Sequence, residues 1–154
     1  MRVGWLVADE AVIDKVVMLK QSADLHTSTL NQYITLALVR DGVIERQLPL
    51  LRAAYRERRD AMLAALDRHF PDGVSWTRPD GGLFLMVTLP AHLDASDVLK
   101  EALKERVAFV PGEDFHLQGG KNTFRLNFSN ARPERITEGM ERLGALLRRM
   151  LRVV

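Results

Sequence analysis

The chain of 154 residues contains no cysteine. That excludes a disulfide framework, thiolate catalysis and a thiolate metal site. It also lacks a dominant charge: 22 basic and 20 acidic residues leave a net +2, too balanced to argue for nucleic-acid binding. No apolar run is long enough to span a bilayer. The opening MRVGWLVADE lacks the apolar core and small-residue cleavage site of a signal peptide. The histidines, His26, His69, His92 and His116, form no H-x-x-H or H-x-x-x-H pair, so no metal site is expected. Neither G-x-S-x-G nor G-x-x-x-x-G-K-[ST] occurs, and there is no internal repeat. The expectation is a cytoplasmic protein with neither nucleic acid nor membrane as partner.

What is present is globular in character. The chain is 47% hydrophobic and 27% charged, enough for the core of one domain, or of one small domain and a remnant. Val3 to Val7 reads as a short buried strand. Val12, Ile13, Val16, Val17 and Leu19 then give an apolar stripe at helical spacing. A second helix enters through Thr27, Ser28 and Thr29 and stops at Asp41-Gly42. The longest helix candidate runs from Val43 to Phe70, bent or restarted at Pro49.

Beyond it the period changes. GVSWTRPDGGLFLMVTLP alternates around a Pro-Asp-Gly-Gly turn and reads as two strands, with Leu83 to Val87 apolar on both faces as in a central strand. Asp94 to Arg106 is an amphipathic helix capped by Asp94 or Ser96, burying Val98, Leu99, Ala102 and Leu103. VAFVPG is a short strand. The last helix starts near Pro133-Glu134, where proline is tolerated.

NTFRLNFSN, Asn122 to Asn130, carries the sharpest functional signal. Phe124, Leu126 and Phe128 point to one face of a strand, which puts Arg125 and Asn127 on the other. An arginine there can pair with a surface carboxylate of its own chain. Alternatively, its planar five-donor fork is presented to a ligand carboxylate. Arg2 alone reads as a solvated terminal charge. Gly81-Gly82 and Pro111-Gly112 read first as turns, and RAAYRERRD reads as a solvated helical face.

Taken in order, RVGWLVADEAVIDKVVMLKQSADLHTSTLNQ, YRERRDAMLAALDRHFP, VSWTRPDGGLFLMVTLP, VAFVPGEDF and NTFRLNFSNARPERITEGMERLG resemble the C-terminal part of class I/II aminotransferases of fold type I. These enzymes use pyridoxal 5'-phosphate, and the resemblance is to the 2-aminoadipate and multisubstrate branch. It covers essentially the whole chain. It implies an α/β fold: residues 1–42 a remnant of the large domain (one strand, two helices), 43–71 a long interdomain helix, and 72–154 the small domain, a short, mostly antiparallel sheet with helices on one side.

In that family the arginine of the R-L-N-F strand binds the substrate α-carboxylate, a role that would fall to Arg125. The arginine of R-x-G-W contacts the cofactor phosphate, matching Arg2. Thr27 and Ser28 resemble a segment near the dimer interface that approaches the neighbour's phosphate. The family's cofactor-bearing lysine precedes the R-x-G-W arginine in a Ser-x-x-Lys segment, and no such segment is present. None of Lys15, Lys20, Lys100, Lys104 and Lys121 has that context.

The resemblance therefore implies a truncated piece of a transaminase, inactive by itself and not holding the cofactor covalently. Its intact parent would take amino acids and 2-oxo acids as substrates. Unpaired strand edges and apolar faces predict a homo-oligomer. The same scaffold occurs in the aminotransferase-like half of GntR-type (MocR-like) transcriptional regulators, and a fragment of one remains the alternative. A stand-alone oligomerisation domain is a third reading.

Overall fold

A computed structural model describes residues 1–151. The chain divides into two compact units, Met1–Leu50 and Leu51–Val154.

The first unit contains helices α1 (Glu10–Ala23), α2 (Thr29–Arg40) and the start of α3 (Val43–His69). Val3 to Val7 forms no strand, contrary to the sequence reading; residues 1–9 take no regular structure. The physical reason is pairing: an isolated apolar strand has no ladder partner here, so its backbone gains nothing from extension. The stripe on α1 is present but covers nothing, since neither α1 nor α2 has a buried residue. Ser28 caps α2, its hydroxyl accepting from the Asn31 amide at 3.4 Å. Asp41 and Gly42 turn the chain into α3, Gly42 adopting φ +64°. α3 runs unbroken through Pro49. Proline removes one helical donor, but the turns there are solvent-exposed, so water can serve the freed carbonyl.

The second unit is built on a four-stranded antiparallel sheet in the order β1-β2-β4-β3. Its strands are β1 (Ser75–Trp76), β2 (Phe84–Thr88), β3 (Val110–Pro111) and β4 (Thr123–Asn127). β2 is central, as its apolar run predicts, with Met86 opposite Arg125 and Val87 opposite Phe124. β3 is shorter than VAFVPG suggested. Only Val110 and Pro111 pair with β4, consistent with proline at a sheet edge.

One face of the sheet is buried. Leu85, Val87, Phe124 and Leu126 join one core with Met62 and Leu66 of α3, Val98 of α4 (Ala95–Lys104), and Ile136, Leu143 and Leu147 of α5 (Pro133–Leu151). Phe124 and Phe109 stack with centroids 4.1 Å apart. Asp94 caps α4, accepting from the Ser96 amide at 2.7 Å. Leu103, expected to be buried, stays 56% exposed, one residue before the end of α4. Arg148 of α5 donates to the carbonyl of His69, the last residue of α3, satisfying an orphan acceptor. The sheet's other face carries Phe84, Met86, Arg125 and Asn127, and none of them is buried.

Candidate functional site

The alternation of β4 puts Arg125 on the open face of the sheet, as its spacing predicts. β4 is paired on both sides at this position, to Met86 and to Val110. The Cα of Arg125 is thus held by two ladders, which fixes the origin of the side chain.

Among the described residues Arg125 forms no ion pair and no side-chain hydrogen bond. Its Nε is buried without a partner. The guanidinium carbon stands 4.1 Å from the ring centroid of Phe84 and 4.3 Å from that of Phe115. The surface-carboxylate reading of Arg125 therefore finds no support: among the described residues the cation has two aromatic neighbours and no anion.

The β3–β4 ladder ends at the Val110–Arg125 pair. A cavity of about 410 Å³ is lined by Arg125, Phe84, Asn127 and Val110 together with the core residues Met62, Phe109 and Met140. Asn127 is engaged locally. Its Oδ1 accepts from the Ser129 amide at 2.6 Å and from the Ser129 hydroxyl at 2.8 Å, closing the strand with a turn.

The two glycine motifs have distinct roles. The Gly81-Gly82 loop is tied to α3 by Arg59, which donates to the Asp80 carbonyl at 2.8 Å. It lines a second cavity with Arg52, Tyr55 and Arg56. Gly112 makes a close approach: a Cβ there would meet the Thr123 hydroxyl and lie 2.9 Å from the Thr123 carbonyl carbon. Its own amide donates to the Thr123 carbonyl at 2.7 Å.

The remaining candidates lie in the first unit. Arg2 is exposed and has φ +60°, unusual for a residue with a side chain. Asn31 Nδ2 donates to the Met1 carbonyl at 3.0 Å, so the backbone entering Arg2 is held at the first turn of α2. Ser28 is the cap of that helix, and Thr27 Oγ1 accepts from Lys20 at 3.3 Å. Thr27 and Ser28 thus lie at the start of α2, and the Met1 carbonyl preceding Arg2 is bonded to its first turn. Arg125 belongs to the other unit.

The lysines do not fit a covalently held pyridoxal phosphate. That role needs a desolvated amine free of carboxylates. Lys20 pairs with Asp24 at 2.8 Å, Lys100 with Asp97 at 2.7 Å and Lys104 with Glu101 at 2.7 Å. Lys121 lies 3.9 Å from Glu113. Lys15 is exposed on α1. The pair with Asp97 raises the pKa of Lys100, the opposite of what a nucleophilic amine requires. Among the described residues there is no acidic or histidine cluster suited to a metal, and no helix is long and apolar enough to cross a membrane.

A small antiparallel sheet backed by helices, with a strand-borne arginine facing outward, defines the C-terminal portion of a fold-type-I aminotransferase. The family described as Aminotransferase class I and II matches residues 1–143, and the chain belongs to it. It is 45% identical over 155 residues to the 2-aminoadipate transaminase of Thermus thermophilus, covering 100% of this chain and 39% of that one. Among solved structures, the multiple substrate aminotransferase of Thermococcus profundus matches with TM-score 0.83 at 40% identity, over 96% of this chain and 37% of that chain. The alpha-aminoadipate aminotransferase of T. thermophilus, solved with N-(5'-phosphopyridoxyl)-L-leucine, matches with TM-score 0.80 at 45% identity, over 96% and 38%.

A regulator also matches. An uncharacterized HTH-type transcriptional regulator of Bacillus subtilis, YisV, is 30% identical over 98% of this chain and 31% of its own length. The chain spans 36%, 38% and 39% of the lengths of three aminotransferases it matches.

Residue spacing alone did not single out Phe84 and Phe115 as neighbours of Arg125. Each is the Phe that ends a glycine motif, G-G-L-F and P-G-E-D-F, and that shared position was the available signal. Asn31 left no comparable signal.

Proposed function

We propose that this chain supplies the substrate-carboxylate side of a pyridoxal-phosphate-dependent aminotransferase acting on amino acids and 2-oxo acids. The observation that carries the proposal is Arg125: a permanently charged fork on a strand paired on both sides, close to two aromatic rings, and without an ion pair among the described residues. A ligand carboxylate fits that fork bidentately. When bound in an intact enzyme, pyridoxal phosphate supplies the electron sink for amino-group transfer. The part of this chain is binding and orientation.

Arg2, with Thr27 and Ser28 at the start of α2, is proposed to face the cofactor phosphate, since helix starts favour anions. The division into residues 1–42, 43–71 and 72–154, a cytoplasmic location and assembly as a homo-oligomer belong to the same proposal. So does the absence of transamination by this chain alone, because no lysine in it has the required surroundings. The match to YisV supports a second reading, the effector domain of a GntR-type regulator. The gene segment upstream of Met1 discriminates: a basic winged helix supports the regulator, a cofactor-binding large domain the enzyme.

The primary test uses the purified chain. Titration with 2-oxoglutarate is expected to shift the Arg125 Nε–Hε NMR resonance, assigned by its loss in Arg125→Gln. Added pyridoxal phosphate is expected to leave no borohydride-reducible absorbance on the protein. An unperturbed Arg125 resonance overturns the carboxylate assignment. A reducible band with turnover of glutamate and an oxo acid overturns the inactivity.

A further inference from the structure

We infer that Phe84 and Phe115 are positioning residues for Arg125, holding the guanidinium between two ring faces so that a carboxylate can meet it only edge-on, in its own plane. The inference rests on the reading of Arg125 as a carboxylate site and adds a device that the reading does not contain.

Two rings lie against one guanidinium carbon. Phe84 comes from β2 and is 38% exposed; Phe115 comes from a single 3-10 turn, Glu113–Phe115, and is 46% exposed. Neither ring belongs to the core. Two large apolar side chains are held half in water, and what each covers is the face of one cation, at 4.1 and 4.3 Å. Such distances are well inside the roughly 6 Å over which a ring quadrupole attracts a cation.

In the inferred sandwich both faces are occupied, and an anion can approach only along the N–H directions. These lie in the guanidinium plane and match the two oxygens of a carboxylate. An unstacked arginine would sample rotamers and bind anions from any side, with entropy lost on each binding event.

The placement of Phe115 is built into the chain. Phe115 follows Gly112 by three residues, and its amide donates to the Gly112 carbonyl at 2.9 Å. His116 Nδ1 lies 2.8 Å from the same carbonyl. Gly112 is locked to Thr123, two residues before Arg125 on β4. The P-G-x-x-F spacing therefore carries Phe115 from the edge strand back over Arg125. Glycine is required there because the two backbones touch.

Two measurements test this on the whole chain. Without ligand, protons held over ring faces are shielded. The Arg125 Nε–Hε resonance is thus expected upfield of a free arginine, moving part way back in Phe115→Leu and fully in the double variant Phe84→Leu/Phe115→Leu. With 2-oxoglutarate as probe, Phe115→Leu is expected to weaken binding about tenfold without lowering the thermal midpoint, and Phe115→Tyr to restore it.

An unshifted resonance in the parent chain overturns the sandwich. Retained affinity in the double variant overturns the positioning role while leaving Arg125 as the carboxylate site. A shifted resonance in a chain that binds no carboxylate overturns the carboxylate reading, and the positioning role falls with it.

Discussion

Gly144 of α5 packs directly onto His69, the last residue of α3. A Cβ on Gly144 would meet the His69 carbonyl oxygen and lie 2.8 Å from its carbon. In most exposed helix interiors, Gly→Ala stabilises by up to about 1 kcal/mol. Here the obstructing atoms are backbone and cannot rotate away. Gly144→Ala is expected to destabilise the second unit by about 1–3 kcal/mol. Gly139, one turn earlier, has open space around it, and Gly139→Ala is expected to be stabilising. Opposite shifts in urea midpoint for the two variants are the check.

Arg125→Lys conserves charge and discards shape. The ammonium cannot fork onto a carboxylate or lie flat between Phe84 and Phe115. A loss of about tenfold or more in carboxylate affinity is expected, with stability nearly unchanged because Arg125 holds no partner in its own chain. Calorimetric titration alongside a thermal melt reads both, the melt being expected to hold because no described residue forms an ion pair or side-chain hydrogen bond with Arg125. Affinity equal to that of the parent chain would falsify the bidentate reading.

The first unit leaves many of its apolar side chains exposed. Val12, Val16, Val17 and Leu19 on α1, and Leu30, Ile34 and Leu36 on α2, are each at least 37% exposed. Contiguous apolar area of this kind drives association. Sedimentation is expected to show concentration-dependent self-association, reduced by the pair Val16→Glu and Leu19→Glu. A monomer at high concentration is the contrary result.

Asp94→Ala removes the cap of α4, whose carboxylate accepts from the Ser96 amide at 2.7 Å. The expected cost is about 1 kcal/mol. Asp94→Asn, which keeps an acceptor, should recover most of it. A denaturant titration distinguishes the two, and equal losses in both would argue against the cap.

The legible part of this protein was its local periodicity. β4 reads from Phe124, Leu126 and Phe128, which are all buried. α5 reads from Ile136, Met140, Leu143, Leu147 and Met150; the first four are buried, and Met150 packs partly buried against the core. Alternation and the 3.6-residue repeat report which side of an element is apolar, and an element of the second unit with a neighbour buries that side. Val3 to Val7 shows the limit of the method. Its apolarity is real, yet a strand exists only when a second strand accepts its hydrogen bonds, and none does here. The stripe on α1 fails in the same way, being a correct helix with nothing to cover it.

The sequence by itself determined the family, the order of the helices, the central position of β2 and the face on which Arg125 stands. These depend on residue types and spacings that are local or collinear. Only the tertiary structure decided what surrounds Arg125. Phe84 is 41 positions away from it and Phe115 is 10. They meet it because β2 pairs in one register with β4 and because Gly112 locks a turn against Thr123. Contacts of that kind depend on backbone register and close approach between elements, which the periodicity within one element does not encode.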